Sequence, residues 1–410
     1  MPPRQSVANP REVLAPVTGY RPELDAVRFL AFLLVFSHHS VLEILSFNET
    51  GHFHAFVGDE VWKILIGMFS ACGMGLCLFF CLSAYLITEL LLREREKVKA
   101  ISVRNFYIRR VLRIWPLYVF GLLLGICWEL TDHAGSQWPR LAWYVLFAGN
   151  IYCARFGWSG NPMTPLWSIS IEEQFYLIWP WVMRFASRRG LFLCALLFIL
   201  LANVTLLILG QRPASADTTV WANTFVQFQM FAAGILLALA PKRTVRGGAV
   251  AGLLLTAIGP VLWFVACYVF HAKKSAGGLS ESGSSLVIGY ALMAIGCAAV
   301  LQGFCNLGPA HMPQWAVSLG RISYGLYVYH LSALRICRTI LQFLHFSRPL
   351  ELSVPCGLML TILIAKLSYA KLESPFLRLK RRFEVIHTRP IEGFPAVHQP
   401  LTPVPRSLVP

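Results

Sequence analysis

The run VRFLAFLLVFSHHSVLEIL, residues 27–45, sets Arg28, His38 and His39 into a sequence otherwise built mostly of Leu, Phe, Val and Ala. An ionisable side chain in hydrocarbon is costly, so such groups usually face a protein interior or a wet cavity and mark a functional site. Arg28 and His39 are eleven residues apart. At 100° per residue they return to within about 20° of one another, three helical turns and ~16 Å along. His38 is rotated roughly 80° from Arg28 and is expected to be the structural neighbour of the pair. Asp25, three residues before Arg28, can pair with it on the same face. The plainer reading is that His39 hydrogen-bonds a helix neighbour and Arg28 snorkels to the interface.

Other groups carry similar chemistry. SVRNFYIRRVLRIWPLYVF, residues 102–120, crowds Arg104, Arg109, Arg110 and Arg113 at the start of an apolar helix. Arg110 and Arg113 share a face. A positive-inside anchor accounts for some of these arginines but does not require Arg113 within the apolar run. Arginine's planar fork suits phosphate, so a phosphate-bearing ligand on that side is the alternative. In PLWSISIEEQFYLIWPWV, residues 165–182, adjacent Glu172 and Glu173 are costlier in a membrane than a lone histidine. Ser168, Glu172 and Tyr176 recur every four residues and form one polar stripe; an interfacial segment with its carboxylates in water is the competing reading. GRISYGLYVYH (320–330) puts Arg321 at a cytoplasmic helix start and His330 in mid-helix. FFCLSAYLITELLL (79–92) supplies Ser83 and Tyr85, for which hydrogen bonds between packed helices are the plainer role.

Composition says what kind of element must hold these residues. The chain of 410 residues is 56% hydrophobic and only 14% charged, with a mean hydropathy of +0.58. Those values lie outside the soluble range, and an all-α polytopic membrane protein is expected. A helix needs about 20 apolar residues to cross a ~30 Å hydrocarbon core. Ten segments suffice: 24–45, 63–92, 108–130, 165–186, 190–210, 221–240, 247–270, 284–305, 317–345 and 352–372. An eleventh, 141–153, is too short to span comfortably, contains Gly149 and Asn150, and is expected to be re-entrant or interfacial. With ten spans and both termini cytoplasmic, 26 of the 36 Lys and Arg residues fall inside, as the positive-inside bias requires. The net charge of +16 therefore reads as topology rather than nucleic-acid binding. Eleven scattered cysteines, without C-x-x-C or a Cys/His cluster, imply neither a disulfide framework nor a metal site. One membrane unit is expected over 21–383, between Pro-rich cytoplasmic tails at 1–20 and 384–410 that are expected to be disordered. No cleavable signal peptide is visible.

At these residues the chain resembles the membrane O-acyltransferases of acyltransferase family 3. The family's L-D-x-x-R pattern, followed by a histidine, is similar to LDAVRFLAFLLVFSHH here. Its F-F-x-L-S-G-[YF]-L-I pattern is similar to FFCLSAYLI, with Ala84 where glycine is usual, which touches the packing of that turn. FYIRRVLRIWPLY, WSISIEEQFYLIWP and SYGLYVYH resemble three further motifs, in the family's order, and the likeness runs from about residue 20 to 380. The resemblance implies transfer of an acyl group, commonly acetyl, from cytoplasmic acyl-CoA to a hydroxyl of a carbohydrate or glycoside, with acyl-CoA as donor substrate and no bound cofactor. Acceptors in the family often lie beyond the inner membrane, as in cell-surface polysaccharide modification.

By the same resemblance His39 matches the catalytic histidine and Arg28 its partner. Arg110 and Arg113 match arginines linked to acyl-CoA, with Arg109 beside them, and Glu172 matches the motif's glutamate. Ser168, Tyr176, His330 and Ser83 are further candidates. His39 would act as general base on the acceptor hydroxyl or accept the acyl group itself, and Glu172 would orient or polarise a partner. No esterase-like domain is expected beside the membrane unit. The competing class is a proton-coupled transporter or glycan exporter, which would use intramembrane His, Glu and Arg equally well. Against it, no inverted repeat and no matched pair of broken helices is visible. The expected setting is a bacterial inner membrane.

Overall fold

The computed structural model describes residues 20–47, 52–131, 138–211, 217–241, 248–273 and 282–386, and these are helical, with no strand among them. The first helices are α1 (Pro22–Phe47), the short α2 (His52–Val57), α3 (Asp59–Cys72), α4 (Met74–Val98) and α5 (Val103–Thr131). Then come the short pair α6 (Trp138–Val145) and α7 (Gly149–Phe156), followed by α8 (Leu166–Phe185), α9 (Arg188–Leu209), α10 (Asp217–Trp221) and α11 (Thr224–Leu239). The chain continues through α12 (Gly248–Tyr268), α13 (Gly283–Leu307), α14 (Gln314–Arg321), α15 (Ser323–Phe343), α16 (Pro349–Ser368) and α17 (Ser374–Lys380). The expected tails lie outside the described residues except at their inner ends. Residues 384–386 belong to the structure, and Lys97 donates to the Val385 carbonyl at 3.2 Å.

Seven helical stretches among the described residues are long and apolar enough to cross a membrane, those of α1, α3–α4, α5, α9, α12, α13 and α16–α17. The protein is an integral membrane protein. Three of the ten expected segments fall short, each for a visible reason. The α11 helix has sixteen residues. The α8 helix carries Glu172, Glu173 and Gln174, and α15 carries His330, Arg335 and Arg338, so the polar residues that flag a site also dilute hydropathy. The 63–92 and 317–345 segments are each broken, at Gly73 and at Ile322.

Local sequence sets the ends of these helices. The Asn223 side chain caps α11 by accepting from the Phe225 and Val226 amides, and the Ser187 hydroxyl caps α9 through Gly190. The segment 141–153 resolves into two helices of eight residues each, too short to cross. Its buried Asn150 earns its place there: the amide donates to the Ala222 carbonyl at 3.1 Å and to the Thr224 hydroxyl at 2.9 Å. Gln174 in turn donates to Asn150 at 2.9 Å, so α7 is tied to both α8 and α11.

The α1 helix packs against α3, α4, α13, α14 and α15. It meets α14 backbone to backbone, because a Cβ on Gly320 would overlap the Asp25 carbonyl. Replacement of Gly320 by Ala is expected to cost about 1–3 kcal/mol through overpacking. The reading is a lower melting temperature of the detergent-solubilised protein; an unchanged value would mean that α14 and α1 are not held at this distance.

Candidate active site

Three cavities follow one another along α1, and each shares walls with the next. The first is lined by arginines, among them Arg28, Arg109, Arg110 and Arg113, with Lys380 and Glu384 also in its wall. It encloses about 1030 Å³ of empty space, mouth included, which reaches the upper end of small-molecule sites at ~300–1,000 Å³. The second, middle cavity shares Arg28, Arg110 and Arg113 with the first and adds Ser83, Ser168, Glu172 and Tyr176. The third is lined by His38, His39, His330, Lys273, Asp217 and three tryptophans, and meets the middle one at Leu76 and Tyr327.

At the arginine end each guanidinium has a distinct role. Arg28 pairs with Asp25, as their spacing predicts. Arg109 pairs with Glu94 at 2.8 Å and donates to the Phe383 carbonyl at 2.8 Å, so part of its capacity serves the fold. Arg110 packs over the rings of Phe106 and Tyr176, 5.5 and 5.6 Å from their centroids. Its Nε is buried and has no hydrogen-bond partner among the described residues. A buried, unsatisfied guanidinium donor in a cavity wall suits an anionic oxygen from a ligand.

The middle cavity holds a tight polar cluster. Ser83 donates to Glu172 Oε1 at 2.7 Å, and the Tyr176 hydroxyl donates to Glu172 Oε2 at 3.0 Å. The two expected stripe members on α8 therefore close on Ser83 of α4, while Ser168 bonds the Tyr327 hydroxyl at 2.7 Å. Glu173, one residue on, lines none of the three cavities.

At the histidine end the two neighbours on α1 divide. His38 Nδ1 lies 2.9 Å from the Phe69 carbonyl and Nε2 lies 3.1 Å from Lys273 Nζ, so both ring nitrogens are engaged. The Phe69 carbonyl can only accept, which puts the ring proton on Nδ1 and leaves Nε2 to accept from the ammonium. His39 makes no hydrogen bond to the described residues and exposes its ring to the cavity. His330 stands beside it, ring centroids 5.3 Å apart. Its Nδ1 donates to the Tyr327 carbonyl at 2.6 Å, which leaves the buried Nε2 as an acceptor without a partner among the described residues.

The structure thus gathers the expected residues into two groups rather than one. Arg28, on the same stripe as His39, looks into the arginine and middle cavities, three turns away from the histidine. His330, read from sequence as a lone polar residue in mid-helix, is the one that meets His39. Lys273 and Asp217 escape sequence reading altogether. Among the described residues no group of three His, Cys, Asp or Glu side chains is placed to hold a metal ion.

The arginine-lined cavity and the paired histidines thus lie at opposite ends of one succession of cavities within the helical bundle. Residues 21–369 match the family described as an acyltransferase domain, and the chain belongs to that family. It is similar to the peptidoglycan O-acetyltransferase OatA of Listeria monocytogenes, with 24% identity over 382 residues that cover 87% of this chain and 56% of that protein. A Bacillus subtilis protein, YrhL, provisionally described as a peptidoglycan O-acetyltransferase, is 24% identical over 87% of this chain and 55% of its own length. A Staphylococcus aureus protein, SAS0844, provisionally an O-acetyltransferase, is 24% identical over 90% of this chain and 59% of its own. The chain spans a little over half the length of these relatives. No solved structure matches it. The family is one of acyltransferase domains, and membership of it weighs against the transporter reading.

Proposed function

We propose that this protein is a membrane O-acyltransferase that moves an acyl group, acetyl by its relatives, from acyl-CoA in the arginine cavity to a carbohydrate hydroxyl in the histidine cavity. The observation that carries this reading is the succession of three cavities with shared walls between the arginines and His39. Ten spans, both termini in the cytoplasm and the arginine end facing inward fit the distribution of basic residues. That orientation gives a donor inside and an acceptor beyond the membrane of a bacterial cell.

In this reading Arg110 and Arg113 hold the phosphates of the donor, and the acyl arm passes the Ser83–Glu172–Tyr176 cluster. The acceptor hydroxyl loses its proton to His39 as its oxygen attacks the thioester carbonyl. The carbon–sulfur bond then breaks and the departing thiolate takes up the proton, regenerating neutral His39 and free CoA. Glu172 holds Ser83 and Tyr176 in fixed positions along the path. Because His39 makes no bond to the described residues, its ring is free to meet the acceptor.

The test is purified protein with radiolabelled acetyl-CoA and peptidoglycan fragments. Label appearing in alkali-labile O-acetyl groups, with stoichiometric release of CoA, is the expected result. Absence of both CoA release and labelled product with every glycan acceptor tried would sink the proposal.

A further inference from the structure

The histidine cavity contains a buried cation that the reaction above does not use. After α12 the chain folds back on itself: Val269 and Phe270 amides bond the Val265 carbonyl, and Ala272 bonds Ala266 at 3.1 Å. His271 takes the left-handed conformation at φ 44°. This turn drives Lys273 inward until it is only 6% exposed. Its ammonium sits 4.0 Å above the Trp221 ring centroid and 3.1 Å from His38 Nε2. The room it occupies exists because residue 73 is glycine; a Cβ there would overlap Nζ.

Lys273 forms no ion pair among the described residues. Asp217, the cavity's one carboxylate among those residues, partly offsets the loss of hydration that lowers the Lys273 pKa, yet does not pair with it. An ammonium taken out of water is normally paired, because a buried charge without a counter-charge is strongly unfavourable. If its task were only to hold His38, an uncharged donor would serve without that penalty. Lys273 has three N–H donors, one of which is directed at His38, and it shares the cavity wall with His39 and His330.

We propose that Lys273 is an anion-recognition point in the histidine cavity, and that the acceptor carries a carboxylate or phosphate group within reach of it. This rests on the reading of that cavity as the acceptor's site. The aromatic surroundings suit a sugar: Trp158, Trp167 and Trp221 line the same space. Trp158 is largely exposed, with its ring 5.2 Å from that of Trp167. Apolar ring faces flank the sugar while one cation selects its charged substituent.

Three probes of similar ring structure test this on the full-length purified protein: N-acetylmuramic acid, N-acetylglucosamine and N-acetylglucosamine 1-phosphate. Binding is followed by tryptophan fluorescence. A charge-assisted contact makes at least one charged probe bind about 10- to 100-fold more tightly than the uncharged one, and the preferred probe tells carboxylate from phosphate. In Lys273→Gln that advantage disappears, while binding of N-acetylglucosamine and of acetyl-CoA is unchanged. Equal binding of charged and uncharged probes to the unmodified protein overturns the proposal without any variant having to fold. A charge preference that survives Lys273→Gln overturns it as well. So does equal weakening of all three probes, which would make Lys273 a support for His38. Absence of acetyl transfer with the charge preference intact counts against the reaction and supports the recognition point.

Discussion

Replacing His39 by Ala is expected to lower acyl transfer by about 10²–10⁴-fold, the usual contribution of a positioned acid–base group, while acetyl-CoA binds as before. The geometry separates the two effects. His39 lies at the far end of the cavity chain and makes no hydrogen bond that the fold depends on, so its removal takes away a reactive ring and little else. His38, next to it, is anchored by Phe69 and Lys273, and His38→Ala should show a loss of thermal stability that His39→Ala does not. Turnover and donor binding measured side by side on both variants settle the assignment. Full activity in His39→Ala would mean that another group, such as His330 beside it, takes the proton.

The second large effect is expected at Arg110. Changing it to Gln should weaken CoA binding by about 10- to 100-fold, the worth of a charge-assisted hydrogen bond, with much less change in turnover at saturating donor. Its Nε is already buried without a partner among the described residues, and the guanidinium packs over the rings of Phe106 and Tyr176. Lysine should not restore affinity, since a point charge cannot reproduce an oriented fork. Calorimetry with CoA is the direct measurement. A dissociation constant unmoved by Arg110→Gln would leave the guanidinium a purely structural role beneath Tyr176.

Much of this site was legible in the sequence because helical periodicity is local. The four-residue rhythm of Ser168, Glu172 and Tyr176 placed them on one face, and all three line the middle cavity. Arg110 and Arg113, three apart, likewise look into the same two cavities. The shortness of 141–153 argued against a full span, and the segment falls in two helices of eight residues each. Periodicity gives rotation about an axis, however, and says little about where along it a cavity begins and ends. Arg28 and His39 share a stripe and still face different chambers.

What was hidden depends on contacts between distant segments. His330 meets His39 only because α15 packs on α1, and no spacing within either helix announces it. Lys273 stands in HAKKSAGG, which reads as an ordinary polar loop. Its inward course follows from the turn after α12 and the vacancy at Gly73, 200 residues earlier in the chain. Helix breaks were hidden for the same reason: Gly73 and Ile322 interrupt runs whose hydropathy is continuous.

The shared wall of Leu76 and Tyr327 has a further consequence, concerning the cell rather than the reaction. In the proposed orientation the chambers open to opposite sides of an energised bilayer, and ions must not follow the acyl group, since each charge crossing a 100 mV potential dissipates about 2.3 kcal/mol. At this junction the Tyr327 hydroxyl is held by Ser168 and by the Pro165 carbonyl, with Leu76 sharing the wall. Under the proposed function this junction would have to serve as an electrical insulator in the middle of a chemical passage.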